Sequence, residues 1–295
     1  MLTTRTDLAM ESYALREENI GKTSRLKGVK AMERQWEGLS VHRLEILDQE
    51  GAESIGKPVG TYLTLDIAPY WKREEDGFSR AVRAVSRLLM PFLPEEGTVL
   101  VAGLGNAAMT PDALGPRTVE HLLVTRHLRE VLPMLRPVSA LAAGVLGTTG
   151  IEAAEWIRGT AEHVRPAAVI IVDALAARGL DRLCSTVQIS DTGLIPGSGV
   201  GNHRMALDRA ALGVPVIAVG VPTVVDAATA ARDVLAACGG EEEDLPSLQG
   251  YGSRFFVTPD SIDLKIRELG KLLGYGIGLA LHPQLTEEDL TALLE

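Results

Sequence analysis

The sequence predicts an α/β protein: a mostly parallel central sheet with helices on both faces. Two short apolar runs rich in β-branched residues, 98–102 and 167–172, each lead to an aspartate, Asp112 beyond the first and Asp173 directly after the second. A third run of the same character spans 214–223, and from about residue 98 to residue 238 such runs alternate with segments of helical spacing. That alternation is the mark of parallel strands joined by crossover helices. Two strands that each deliver a carboxylate at their carboxyl ends supply the raw material for acid–base chemistry at a sheet lip.

Composition narrows the partners. With 295 residues and 46% hydrophobic content, the chain can bury a sizeable core. Its net charge of −10 repels nucleic acid and anionic membrane surfaces at long range. Two cysteines, Cys184 and Cys238, are too few for a disulfide framework and lie in no close-spaced metal pattern, which points to a reducing cytoplasm. No apolar run has signal-peptide or bilayer-spanning length. Aromatic residues make up only 4%, so stacking does not drive recognition, whereas 30 glycines, several at strand ends, indicate loops that turn sharply or approach a substrate closely.

Taken in order, residues 1–20 read as a loose polar arm followed by a short helix. Alternation predicts strands at 41–47 and 60–67, separated by a turn-rich segment at 48–58. Phe78, Ala81, Val82, Val85, Leu88 and Leu89 recur at helical spacing over 76–92, and a further helix is expected over 117–132, opened by Pro116 and closed by Pro133. His121 and His127 fall on it as partly exposed positions without a metal-like partner. A strand at 139–145 leads into the small-residue loop 146–152. Strands follow at 187–193 and 214–223, then a helix at 224–237, an exposed acidic run at 241–244, and closing helices at Ile262–Leu281 and Glu287–Leu294. No repeat or long linker divides the chain.

Several motifs resemble parts of known catalytic or binding signatures. Gly103-Leu104-Gly105 opens like a dinucleotide fingerprint, but the third glycine is missing. Asp191-Thr192-Gly193 matches the triplet of pepsin-like proteases, yet occurs once in an α/β chain; Asp191 remains a possible additional site carboxylate. The loop around Gly197, Ser198 and Gly199 lacks both the lysine of a P-loop and the spacing of a nucleophile elbow. It suits backbone-mediated peptide binding, as does the loop with Gly147, Thr148 and Gly150. No histidine recommends itself as the base of a serine triad.

Residues 5–9, 105–116, 172–178, 188–202, 213–227 and 280–283 together resemble, in order and over almost the whole chain, the germination protease (spore protease) family of endospore-forming bacteria. The resemblance implies an endopeptidase that degrades small acid-soluble spore proteins at germination, located in the forespore and spore core. It also implies a fold related to hydrogenase maturation endopeptidases, a tetramer of identical subunits, and a zymogen activated by loss of an amino-terminal propeptide. The family's proposed catalytic aspartates carry over to Asp112 and Asp173. Its processing preference, acidic then apolar then alanine, is met by Asp7, Leu8 and Ala9, which makes residues 1–7 the removable segment of one peptidase domain, 1–295.

The mechanism expected is attack of water on a peptide carbonyl, with one aspartate as base and the other as acid, and no metal or cofactor. Glycine-loop amides near 147–150 or 197–201 would stabilise the oxyanion. The rival readings are a metal-assisted maturation-type endopeptidase using the same aspartates, for which a third, histidine ligand is not evident, and a small-molecule-binding α/β module without peptidase activity.

Overall fold

The β-branched runs form the middle of one continuous sheet. The structure is a computed structural model and describes residues 6–20, 26–72, 74–200, 204–239 and 255–294. Its strands are β1 (Val29–Trp36), β2 (Leu39–Ile46), β3 (Gly60–Asp66), β4 (Val99–Gly103), β5 (Val138–Ala142), β6 (Ala168–Ala177), β7 (Thr186–Ser190), β8 (Val216–Asp226) and β9 (Phe256–Val257). They are ordered β1-β2-β3-β7-β8-β6-β4-β5, with β9 added to β8.

The α/β class holds, but the sheet is mixed. β8, β6, β4 and β5 run parallel to one another, while β1, β2, β3, β7 and β9 join by antiparallel pairs. A short connection sets the first antiparallel pair: β1 reaches β2 through Glu37 and Gly38, both at positive φ, a turn with no room for a crossover helix.

Alternation along β6 sorts its side chains. Ala168, Ile170 and Val172 enter one core, packed with residues of the helices Gly77–Leu89, Leu114–Glu120 and Ile262–Leu281. Val169 and Ile171 enter the other, with Leu100 and Ala102 of β4 and Ile157 of the helix Ala153–Val164. Ile170 is fully buried in the first core. Ile170→Ala is therefore expected to cost about 2–5 kcal/mol, read as a lower urea midpoint at unchanged slope.

The two closing helices stand where periodicity predicts them. The 48–58 segment holds a helix, Gln49–Ile55, because Asp48 caps it by accepting from the Gly51 amide at 2.8 Å. The helix expected over 117–132 is only Leu114–Glu120. Beyond it Leu122 and Leu123 are buried, and Thr125 is tied to Val138 of β5 by its amide and its hydroxyl, so the chain turns back along the sheet edge instead of continuing as a helix. β6 and β8 outrun their predicted ends because they pair with each other as far as Ala177 and Val225. The acidic run 241–244 lies outside the described residues. Among those described, no helix is long and apolar enough to cross a membrane.

Candidate active site

Asp173 is placed by the same alternation that fills the core. It follows Val169 and Ile171 on one face of β6, one residue beyond the register pair Gly103–Val172 where β4 ends. It thus stands at the carboxyl lip of β4, although β6 itself continues. Its carboxylate accepts from the Ala174 amide at 2.9 Å, and only 6% of the residue is exposed.

Asp112 arrives on the loop after β4, at the end of the 3₁₀ turn Thr110–Asp112. The Asn106 amide donates to its Oδ2 at 2.8 Å, and the Asp112 amide donates to the Met109 carbonyl at 2.8 Å, which folds the loop back on itself. Gly105 makes this possible: at φ +111°, a Cβ there would sit 1.8 Å from the Asp112 carbonyl oxygen.

The two carboxylates line one cavity of about 540 Å³, together with Asp7, Gly197 and Arg204. A smaller cavity of about 230 Å³ shares Asp7, Asp173 and Gly197 and adds Lys57 and Gln188. Burial pushes the Asp112 carboxyl above the usual range, while the Asn106 amide and the Arg204 charge pull it back. Burial pushes Asp173 much further up, and the charges of Asp112 and Asp7 add to the effect. The environments therefore separate the pair, with Asp173 the more firmly protonated member.

A carboxyl whose folded pKa is raised contributes stability that is complete below its unfolded pKa and lost as pH rises through the folded value. The wild type is thus expected to lose about 1.4 kcal/mol per pH unit from this group across that window, from about pH 4 upward. Asp173→Asn cannot ionise and should show the shallower slope in urea midpoints measured against pH. Parallel curves would exclude the protonated assignment.

The remaining candidates divide. Asp191 is exposed, accepts from the Thr61 amide at 2.8 Å and lies on neither cavity wall. Gly147, Thr148 and Gly150 are exposed and off the walls, while their neighbours Gly144 and Val145 face the larger cavity. Gly197 borders both cavities, Ser198 the smaller, and Gly199 lies against Asp7. Positions 201–202 of this loop lie outside the described residues.

The amino-terminal segment differs most from expectation. Residues 1–5 lie outside the described residues, but 6–9 are firmly held rather than loose. Leu8 is 1% exposed and Ala9 is fully buried. The Asp7 amide donates to the Ala176 carbonyl at 2.9 Å, and Glu11 of the following helix Ala9–Ile20 accepts from the Arg178 and Gly179 amides. Leu8 and Ala9 are apolar residues at the head of a helix that covers the sheet, so their burial outweighs the polarity of the flanking chain. Sequence reading also missed Lys57 and Arg204, isolated cations in irregular segments. Gln188 stood inside a quoted motif without a role.

A paired-carboxylate cleft at the lip of a mixed sheet is equipped for hydrolysis by acid–base catalysis. Comparison with known proteins gives the family. The family described as Germination protease matches residues 5–238. A protein named germination protease from Caldanaerobacter subterraneus subsp. tengcongensis is 41% identical over 98% of this chain and 98% of its own. Another of that name from Clostridium perfringens is 42% identical over the full length of both. A solved NiFe hydrogenase maturation protease from Thermococcus kodakarensis shares 18% identity at a TM-score of 0.39, covering 66% of this chain and 98% of that one, a likeness too distant to argue from. The chain belongs to the germination protease family, a family of peptidases.

Proposed function

We propose that the chain is an atypical aspartic endopeptidase that degrades small acid-soluble spore proteins during germination. It is a single peptidase domain, 1–295, acting as a homotetramer in the cytoplasm of the forespore and spore core. The observation that carries the reading is the meeting of Asp112 and Asp173 on one cavity wall in contrasting environments. Asp112, raised less than Asp173 because the Asn106 amide and Arg204 offset part of its burial, takes a proton from water as the water oxygen adds to the peptide carbonyl carbon. Asp173 gives its proton to the leaving nitrogen as the carbon–nitrogen bond breaks. Exchange with solvent then restores both groups. The 197–199 loop borders the bound peptide, and no cofactor enters the scheme.

The metal-assisted alternative requires a third ligand beside the carboxylates. Among the described residues no group of three His, Cys, Asp or Glu is placed to hold a metal ion, so no step is routed through one. Degradation of a purified small acid-soluble spore protein, followed with and without chelator, tests the reading. Cleavage is expected to be indifferent to chelator; abolition by chelator, or an untouched spore protein, would refute it.

The chain is made as a zymogen that loses residues 1–7 by cleavage between Asp7 and Leu8. Full-length protein held at mildly acidic pH is expected to shed this segment, read by intact mass, while Asp112→Asn does not. Equal loss from both proteins would show that another protease makes the cut.

A further inference from the structure

In the smaller cavity the anchored amino-terminal segment meets side chains that the acid–base scheme leaves idle. Gln188 and Asp173 are both register partners of Gly220, one on β7 and one on β6, so they share a face of the sheet two strands apart, about 10 Å across. Lateral partners point to the same side, which puts the Gln188 carboxamide on the same wall as Asp173.

Into this space runs the backbone of residues 6–9. Gln188 spans it: Nε2 donates to the Asp7 carbonyl at 3.1 Å and Oε1 accepts from the Ala9 amide at 2.8 Å. Lys57 Nζ donates to the same Asp7 carbonyl and to the Thr6 carbonyl, each at 3.1 Å. The Asp7 side chain is seated separately. Its Oδ2 accepts from the Ala176 amide at 2.9 Å and its Oδ1 from the Ser198 hydroxyl at 2.7 Å. A Cβ on Gly199 would come within 2.2 Å of that carboxylate, so only glycine admits it.

The segment bends at Asp7 and is thus held on both sides of one bond, whose own amide, that of Leu8, donates to the Thr6 hydroxyl at 3.0 Å. Two donors, one of them cationic, converge on the carbonyl that precedes the Asp7–Leu8 bond, and Asp173 shares the cavity. A half-buried ammonium whose hydrogen-bond acceptors are two main-chain carbonyls is an unusual way to anchor a terminus: burial opposes its charge, and the Asp7 and Glu11 carboxylates nearby offset only part of that. It is a natural way to stabilise an oxyanion.

We infer that Lys57 and Gln188 grip the carbonyl oxygen of the scissile peptide bond, and that Ser198 with the Ala176 amide, over Gly199, forms the subsite for an acidic side chain before that bond. Residues 6–7 fill these sites in the intact chain, and substrate takes their place. The inference rests on the reading of Asp112 and Asp173 as the proton-transfer pair, and adds to it the groups that position and select the substrate.

The test uses the full chain carried through the mildly acidic incubation, with intact mass reporting whether residues 1–7 remain. Its substrates are a peptide copying residues 4–13 and the D7N counterpart. Wild type is expected to favour the aspartate peptide by roughly tenfold or more in kcat/KM, as for a hydrogen-bonded charge. Ser198→Ala should erode that preference through KM. Lys57→Met and Gln188→Glu should lower kcat by about 100-fold, the scale for one oxyanion donor, with KM little changed. Gln188→Glu keeps an acceptor for Ala9, so a purely structural anchor would tolerate it better. Should Lys57→Met melt early, Lys57→Arg is read instead and is expected to recover most of the lost kcat. Equal hydrolysis of the two peptides, or wild-type kcat in the folded Lys57 and Gln188 variants, overturns the assignment. So does a wild type that degrades spore protein but cleaves neither peptide. A wild type that cleaves no protein at all fails at the earlier step, the peptidase reading itself.

Discussion

Asp112→Asn and Asp173→Asn are each expected to abolish peptide hydrolysis while leaving the protein folded, with kcat reduced by roughly 100- to 10,000-fold and KM little altered. Asparagine matches aspartate in size but can neither accept the proton of water nor donate one to the leaving nitrogen. The pH–rate profile distinguishes the two roles. In the proposed scheme Asp112 works ionised and Asp173 protonated, so activity is expected to fall as pH drops through the Asp112 titration. Burial together with the Asp112 and Asp7 charges holds the Asp173 titration well above the usual range, so activity is expected to fall again as pH rises through it. The measurement is kcat/KM on one peptide across pH, beside thermal melts of both variants. A folded variant with near-normal turnover would remove that aspartate from the chemistry.

Gly105→Ala carries the second large effect, on both stability and activity. The substituted residue would need φ near +111°, which side-chain-bearing residues rarely adopt, and its Cβ would collide with the Asp112 main-chain oxygen and approach Oδ1 within 3.1 Å. The obstacle is backbone, so no side chain can swing away. A cost above about 2–3 kcal/mol is expected from strain and overpacking together. Relaxation would shift the Thr110–Asp112 turn and move the Asp112 carboxylate out of reach of the Asn106 amide. Denaturant midpoints and turnover should therefore fall together. A variant that keeps wild-type kcat would mean that the turn does not need this glycine to aim Asp112.

How much was legible in the sequence follows from the range of the forces involved. Runs of valine, isoleucine and alanine announce β4, β6 and β8 because strands buried on both faces need apolar residues throughout. The helix Ile262–Leu281 is equally plain, being long and periodic. β1 was invisible: seven of its eight residues are exposed, so no apolar alternation marks it, and only pairing with β2 makes it a strand. The 114–120 helix ends early because of contacts with β5, a strand it meets only in the folded chain.

The catalytic candidates show the same division. Asp112 and Asp173 stand beside apolar runs, and that local context, with the family resemblance, was enough to single them out. Their meeting depends on β4 and β6 being parallel neighbours, a long-range pairing that only the folded sheet decides. Lys57, Gln188 and Arg204 carry no local signal, since an isolated cation or amide in a turn or strand looks the same whatever it faces, whereas Ser198 was marked by its glycine-rich loop. Nor does the polarity of residues 1–7 reveal that Asp7 is gripped by groups from β6, β7 and two loops. By itself the sequence determined which segments are apolar enough to be core and which carboxylates lie at their ends, because hydrophobic patterning acts over a few residues. The tertiary structure alone decided which polar groups converge on the cleft, because groups up to 191 residues apart meet only after the sheet has closed the distance between them.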